Sequence, residues 1–220
     1  EDAAHAYFAK YKNKYLGTIG DIGAFSFHES KNIVGAQGGA ISINNSKLRN
    51  RCEIVFDKGT DRHYSKKKYY SWKYIGSEYK ANELSSALIY SNLKSIDYIQ
   101  SRREKIWKYY YIKLSKIKNI KFNLINFDKN IKSAYHVFPI IFKNRILKEK
   151  FIKYMKKNKI DCFFHYYPLH LSEFGKKYAY GKLTVTEKVY DGLVRLPLYP
   201  DLKDEQIKII IDKTKRFLEN

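Results

Sequence analysis

Residues 25–40 read FSFHESKNIVGAQGGA: a short apolar run, a polar turn carrying one lysine, and a glycine-rich reversal. A strand ending in Ser26, Phe27 and His28 would deliver Lys31 to the rim of a buried sheet, where a lysine that holds a cofactor covalently would stand. The chain has 43 lysines and arginines, so a solvated loop lysine is the bland alternative. Only the neighbours of Lys31 can decide between the two.

Outward from that turn, residues 23–28 and 39–44 read as short strands, reversed through Gly38-Gly39. Leu48, Cys52, Val55 and Phe56 fall at helical spacing, which predicts a helix over 46–58 with Ser46 as its N-cap. The stretch 59–78, GTDRHYSKKKYYSWKYIGSE, has no clean period and reads as a long functional or mobile loop. From Asn82 to Leu114 one face stays apolar through Leu84, Leu88, Leu93, Ile96, Ile99, Ile106 and Tyr110, which predicts a single long helix joining two domains. Beyond Lys116 the pattern becomes strand (135–142), helix (146–158), strand (161–165) and a closing helix (204–218), a small α/β domain. The expected domains are residues 1–115 and 116–220.

At 220 residues the chain can bury a substantial core. Its formal charge of +21 raises nucleic acid as a partner. The basic residues are dispersed, however, and no zinc-finger spacing, basic zipper or aromatic RNA-binding signature accompanies them, so the reading is no nucleic acid. Apolar runs such as 137–142 are far too short to span a bilayer and no signal peptide opens the chain; the reading is a cytoplasmic protein with no membrane partner. Cys52 and Cys162 have no paired spacing and read as reduced, structural thiols. His136, inside an apolar pattern, reads as a satisfied core histidine, and no metal site is suggested. The opening EDAAHA lacks an initiator methionine and begins as if at the end of a strand, the pattern of a fragment.

A lysine alone cannot perform pyridoxal chemistry. The cofactor also needs a carboxylate at its ring nitrogen, so that the ring can accept carbanion electrons. Asp2, at the end of the presumed first strand, is placed to supply it. Carboxyl ends of neighbouring parallel strands face one crevice, so Asp2 and Lys31 could reach the same ligand. His5 could hydrogen-bond the ring hydroxyl and Ser26 could reach the phosphate. Taken singly, Asp2 reads equally as a cap, His5 as a turn residue and Ser26 as a strand hydroxyl.

Taken together, EDAAHA and LGTIGDIGAFSFHESKN with its following GGA resemble the DegT/StrS family of pyridoxal-phosphate sugar aminotransferases. RCEIVFDKGTDR, YYSWKYIGSEY, FHYYPLH and RLPLYPDL extend the resemblance along essentially the whole chain. It is nearest to the branch that makes dTDP-4-amino-4,6-dideoxygalactose. The resemblance implies an α/β chain equal to the C-terminal part of the aspartate aminotransferase fold type: the second half of the large mixed-sheet domain, then the small domain. It further implies pyridoxal 5′-phosphate as cofactor, a nucleotide-sugar substrate, glutamate as amino donor and a homodimer with shared sites. Lys31 would be the catalytic lysine, Asp2 would pair with the pyridine nitrogen, Ser26 would bind phosphate, and His5 stands where relatives more often have glutamine.

Departures from the family pattern are specific. Glu78 occupies the place of a serine or asparagine that reaches the phosphate of the neighbouring subunit, and a carboxylate there would repel phosphate; either Ser77 takes the role, Glu78 turns away, or the site is weakened. Gln37 replaces a usual glutamate, and the loop 62–72 is shorter than in the galactose branch. The family's N-terminal half, which cradles the phosphate and stacks on the pyridine, has no counterpart in the sequence, so weak cofactor binding by residues 1–220 alone is expected. Alternative readings are a dehydratase of the same fold, in which histidine usually replaces the lysine, a non-catalytic dimerisation module, and a basic nucleic-acid binder.

Overall fold

The computed structural model describes residues 1–62, 65, 69–117, 122–124 (backbone only) and 128–219. In chain order the elements of the first part are β1 (Lys10–Tyr11), β2 (Lys14–Tyr15), β3 (Ile22–Ser26), β4 (Gly39–Ile43), α1 (Ser46–Phe56), α2 (Glu83–Lys94) and α3 (Ile96–Leu114). They are followed by β5 (Phe122–Leu124), β6 (Ile131–Lys132), β7 (Phe138–Phe142), α4 (Arg145–Lys157), α5 (Thr184–Gly192), β8 (Leu193–Leu196) and α6 (Asp204–Glu219). Two compact units result: residues 1–100 with 128–136, and residues 101–127 with 137–220. The division falls within α3 rather than near residue 115, and the first unit takes back residues 128–136.

In the first unit β3 and β4 pair antiparallel from Ile22↔Ile43 to Ser26↔Gly39. The chain start runs parallel to β3: Ala3 N–H donates to the Ala24 carbonyl and Ala24 N–H to the Glu1 carbonyl, both at 2.9 Å. Gly38, at φ +125°, makes the reversal into β4 that a side chain would strain. A separate three-stranded sheet has the order β2-β1-β6, all antiparallel. The residue that caps α1 is Asn45, whose side chain accepts from Lys47 N–H, not Ser46. Asn45 is extended and Ser46 already helical; two good capping residues stand side by side and the backbone selects the first.

The expected helix over 82–114 is two helices. At Ser95 the N–H bonds to the carbonyls of Asn92 and Leu93 and α2 ends, while Asp97 sits in the first turn of α3, where a carboxylate favours a helix start. Periodicity carried straight through this break because a one-residue joint hardly disturbs it.

In the second unit β5, β7 and β8 form an antiparallel sheet with β7 in the centre. Phe138, Ile140 and Phe142 are buried. Trp107 and Tyr110 of α3 pack on Phe138 at ring distances of 5.3 and 5.1 Å, and Phe142 meets Phe151 of α4 at 4.9 Å. The strand expected from 135 begins at Phe138, because Tyr135 takes φ 49° and breaks extension. The expected strand 161–165 reduces to one bridge, Phe163 to Arg195; Phe163 and Phe164 are 59% and 49% exposed, so no face buries them within the chain. Its place in the sheet is taken by β8, which Pro197 in RLPLYP disguised as loop. Among the described residues no helix is long and apolar enough to cross a membrane. Positions 63, 64 and 66–68 of the long 59–78 stretch lie outside the described residues, as does part of the segment after Lys116.

Candidate active site

β3 ends at Ser26, and Phe27 then ties the following turn at both ends: its N–H donates to the Gly38 carbonyl at 2.9 Å and its carbonyl accepts from Gly35 N–H at 2.7 Å. Inside this closed loop Lys31 N–H donates to the His28 carbonyl at 2.9 Å. The next two residues, Asn32 and Ile33, are buried. A half-buried lysine is thus carried on a backbone anchored from below. Burial pushes the Lys31 amine below the ordinary lysine value of 10.5, and the charge of Asp2 acts in the opposite direction. Asp2 and Lys31 therefore share one electrostatic neighbourhood, brought there by the parallel pairing of Asp2 with Ala24. The Asp2 carboxylate is exposed and accepts from Ala4 N–H at 3.1 Å.

His5 lies against His136, ring centroids 4.3 Å apart. His136 is not the core histidine its surroundings in the sequence suggest: it is half-buried and its Nδ1 lies 2.8 Å from Asn32 Oδ1. The Asn32 amide donates in turn to the Ala134 carbonyl at 2.8 Å, which also accepts from Gln100 at 3.1 Å. This buried amide locks the residue after Lys31 to a segment a hundred residues away, a partnership no local pattern could reveal. Ser26 Oγ accepts from His28 N–H at 3.3 Å, at the first step of the same loop.

Ser77 stands apart from this group. It lies on a segment clipped to the end of α1, where Lys58 N–H donates to its carbonyl and its own N–H donates to the Val55 carbonyl. Gly76 makes the clip possible, since a Cβ there would lie 2.3 Å from Gly59 N and 2.6 Å from the Val55 carbonyl oxygen. Neighbouring Glu78 forms an ion pair with Lys58, which lowers the carboxyl's pKa and offsets its charge. Among the described residues no hydrogen bond joins Ser77 to Lys31, Asp2, His5 or Ser26. A second feature had no signal in the sequence: the Glu1 carboxylate accepts from the N–H groups of Gly17, Ile19 and Gly20 at 2.9, 2.6 and 2.6 Å, and these bonds hold its pKa below the usual 4.5.

This chain is 29% identical to the dTDP-3-amino-3,6-dideoxy-alpha-D-galactopyranose transaminase of Aneurinibacillus thermoaerophilus, the match covering 99% of the chain and 57% of that protein. It is 27% identical to the UDP-4-amino-4,6-dideoxy-N-acetyl-beta-L-altrosamine transaminase of Campylobacter jejuni, over 100% of the chain and 58% of that protein. Its structure is similar to that of Helicobacter pylori PseC, an aminotransferase involved in the biosynthesis of pseudaminic acid, with a TM-score of 0.88 at 25% identity; the match covers 99% of this chain and 58% of that one. The chain thus spans well under two thirds of the length of the relatives it matches. Residues 1–215 match the model of the DegT/DnrJ/EryC1/StrS aminotransferase family, and the chain belongs to that family.

Proposed function

We propose that this chain supplies the catalytic lysine and part of the cofactor site of an aminotransferase that moves an amino group from glutamate to the C4 keto group of a nucleotide-linked 4-keto-6-deoxy sugar, dTDP being the carrier expected, in a cytoplasmic homodimer. The carrying observation is the meeting of Lys31 and Asp2, with the amine shifted toward its neutral form. Aminotransferases of this family use pyridoxal 5′-phosphate. The residues fit that group: an amine depressed by burial, a carboxylate within its field, a hydroxyl at Ser26 and a paired imidazole at His5. When bound, the cofactor supplies an electron sink for the carbanion formed as the amino group is transferred.

The chain's own side chains then have separable tasks. Lys31, with its pKa lowered, has more neutral amine at a given pH than a solvated lysine, so it is the better nucleophile and the better acceptor of a proton from a substrate carbon. Asp2 holds a proton at the pyridine nitrogen. His5, lying against the ring of His136, would hold the ring hydroxyl, and Ser26 would donate to the phosphate. Ser77 would serve the site of a second copy, with the charge of Glu78 beside it offset by the ion pair with Lys58. Retention of Lys31 separates this reading from a dehydratase, in which the amine is replaced.

The test is reductive trapping: incubation with pyridoxal phosphate, borohydride reduction and peptide mapping, with Lys31→Ala alongside. A label concentrated on Lys31, and an absorbance band lost in the variant, are expected. Label spread evenly over many lysines, or unchanged in the variant, would sink the proposal.

A further inference from the structure

The small sheet β2-β1-β6 is built from KYKNKY (10–15) and the segment DKNIK (128–132). Its register places Lys10 directly opposite Tyr15 on one side and Lys132 on the other, so these three share one face, while Tyr11, Lys14 and Ile131 share the other. Like charges directly opposite each other in an antiparallel pair destabilise it. Here neither lysine has a carboxylate partner among the described residues. The Lys10 ammonium rests instead over the Tyr15 ring, 4.2 Å from its centroid. The carboxylate of these two segments, Asp128, is spent on its own turn, accepting from Asn130 N–H at 2.7 Å. Tyr15 is 45% exposed.

Short turn-bearing segments lead from both facing lysines to the candidate site. Lys10 follows His5 through turns that include Phe8 at φ 62°, and Lys132 precedes His136, whose ring lies tilted against that of His5. At most about 18 Å of extended chain separates each lysine from its histidine. Resting on the aminotransferase reading above, we infer that the face formed by Lys10, Lys132 and Tyr15 binds the diphosphate of the nucleotide that carries the sugar, the two ammoniums sharing its charge. A diphosphate matches the observations: two lysines opposite each other in register, with no carboxylate partner among the described residues, beside a half-exposed tyrosine on the same face. A nucleic-acid strand would need a longer track of phosphate contacts.

Calorimetric titration of the chain with UDP, dTDP and inorganic pyrophosphate at low and high salt tests this. Nucleoside diphosphate binding that weakens with salt, and that falls by about ten-fold or more in Lys10→Ala/Lys132→Ala, is expected, since the double variant removes both charge-assisted bonds to phosphate. Lys14→Ala/Lys129→Ala removes the same net charge and is expected to change binding less than about two-fold. Equal losses in both double variants would mean diffuse attraction and overturn the inference. So would the absence of binding, or far tighter binding of an oligothymidylate than of dTDP. Borohydride trapping at Lys31 on the same samples separates the two claims: label without nucleotide binding overturns only the diphosphate site, and nucleotide binding without label overturns only the aminotransferase reading.

Discussion

The pKa of the Lys31 amine is lowered by burial in the folded chain. Asn32 and Ile33 sink beside it, and the Asn32 amide is held by Ala134 and His136. Because burial lowers the amine's pKa and Asp2 raises it, the pH dependence has a definite sign. Trapping of pyridoxal phosphate at Lys31 should rise with a midpoint below 10.5, and Asp2→Asn, which removes the charge that favours the ammonium, should move it lower still. A midpoint at the ordinary value, or an upward shift in the variant, would contradict this account of the site. Lys31, Asp2, His5 and Ser26 were the candidates the sequence offered, because they cluster in two short motifs. Asn32's partners, the role of His136 and the Glu1 anchor could not, since each depends on a residue well separated along the chain.

Elements with a strong apolar stripe were legible almost to the residue. α4 and α6 fall within a residue or so of the spans expected, because Phe151 and Met155, and Ile207, Ile210, Ile211 and Leu218, bury one face against the second unit's sheet and against each other. Elements that end at a single residue, or whose apolar face stays open, were not: the Ser95 joint, the late start of β7 at Phe138, and β8 ahead of Pro197. Phe151→Ala should cost about 3–5 kcal/mol in chemical denaturation, as a fully buried ring leaves a cavity. Asn144→Ala, which removes the cap that accepts from Leu147 N–H at 3.0 Å, should cost about 1 kcal/mol. A Phe151→Ala loss as small as that of the cap variant would mean the aromatic cluster is not the core of this unit.

The whole molecule leaves a long apolar arm uncovered. Tyr69, Trp72, Ile75 and Tyr79 are 75%, 71%, 98% and 62% exposed, and Leu84 of α2 is 86% exposed. Residues of this size are not normally left bare in such number over so short a stretch. The helical period over 82–94 predicts a buried face, yet α2 has no buried residue. The homodimer proposed above would use this arm as its contact, which would carry Ser77 toward the second copy. Light scattering on the eluting protein should give twice the chain mass, and Trp72→Ala/Ile75→Ala should shift it to one chain with thermal unfolding of the second unit unchanged. A monomer in the unaltered protein would refute the arrangement.

From the sequence by itself came the family resemblance, the candidate lysine and carboxylate, and the stripes that become helices, because covalent chemistry and helical burial both write short, regular patterns. Tertiary structure alone decided that Asp2 lies beside Ala24, that Asn32 and His136 hold the lysine's loop, that Lys58 offsets Glu78, and that Lys10 and Lys132 face each other with no carboxylate partner among the described residues. These depend on strand register and on contacts between distant segments, and register is set by which faces the folded chain can bury.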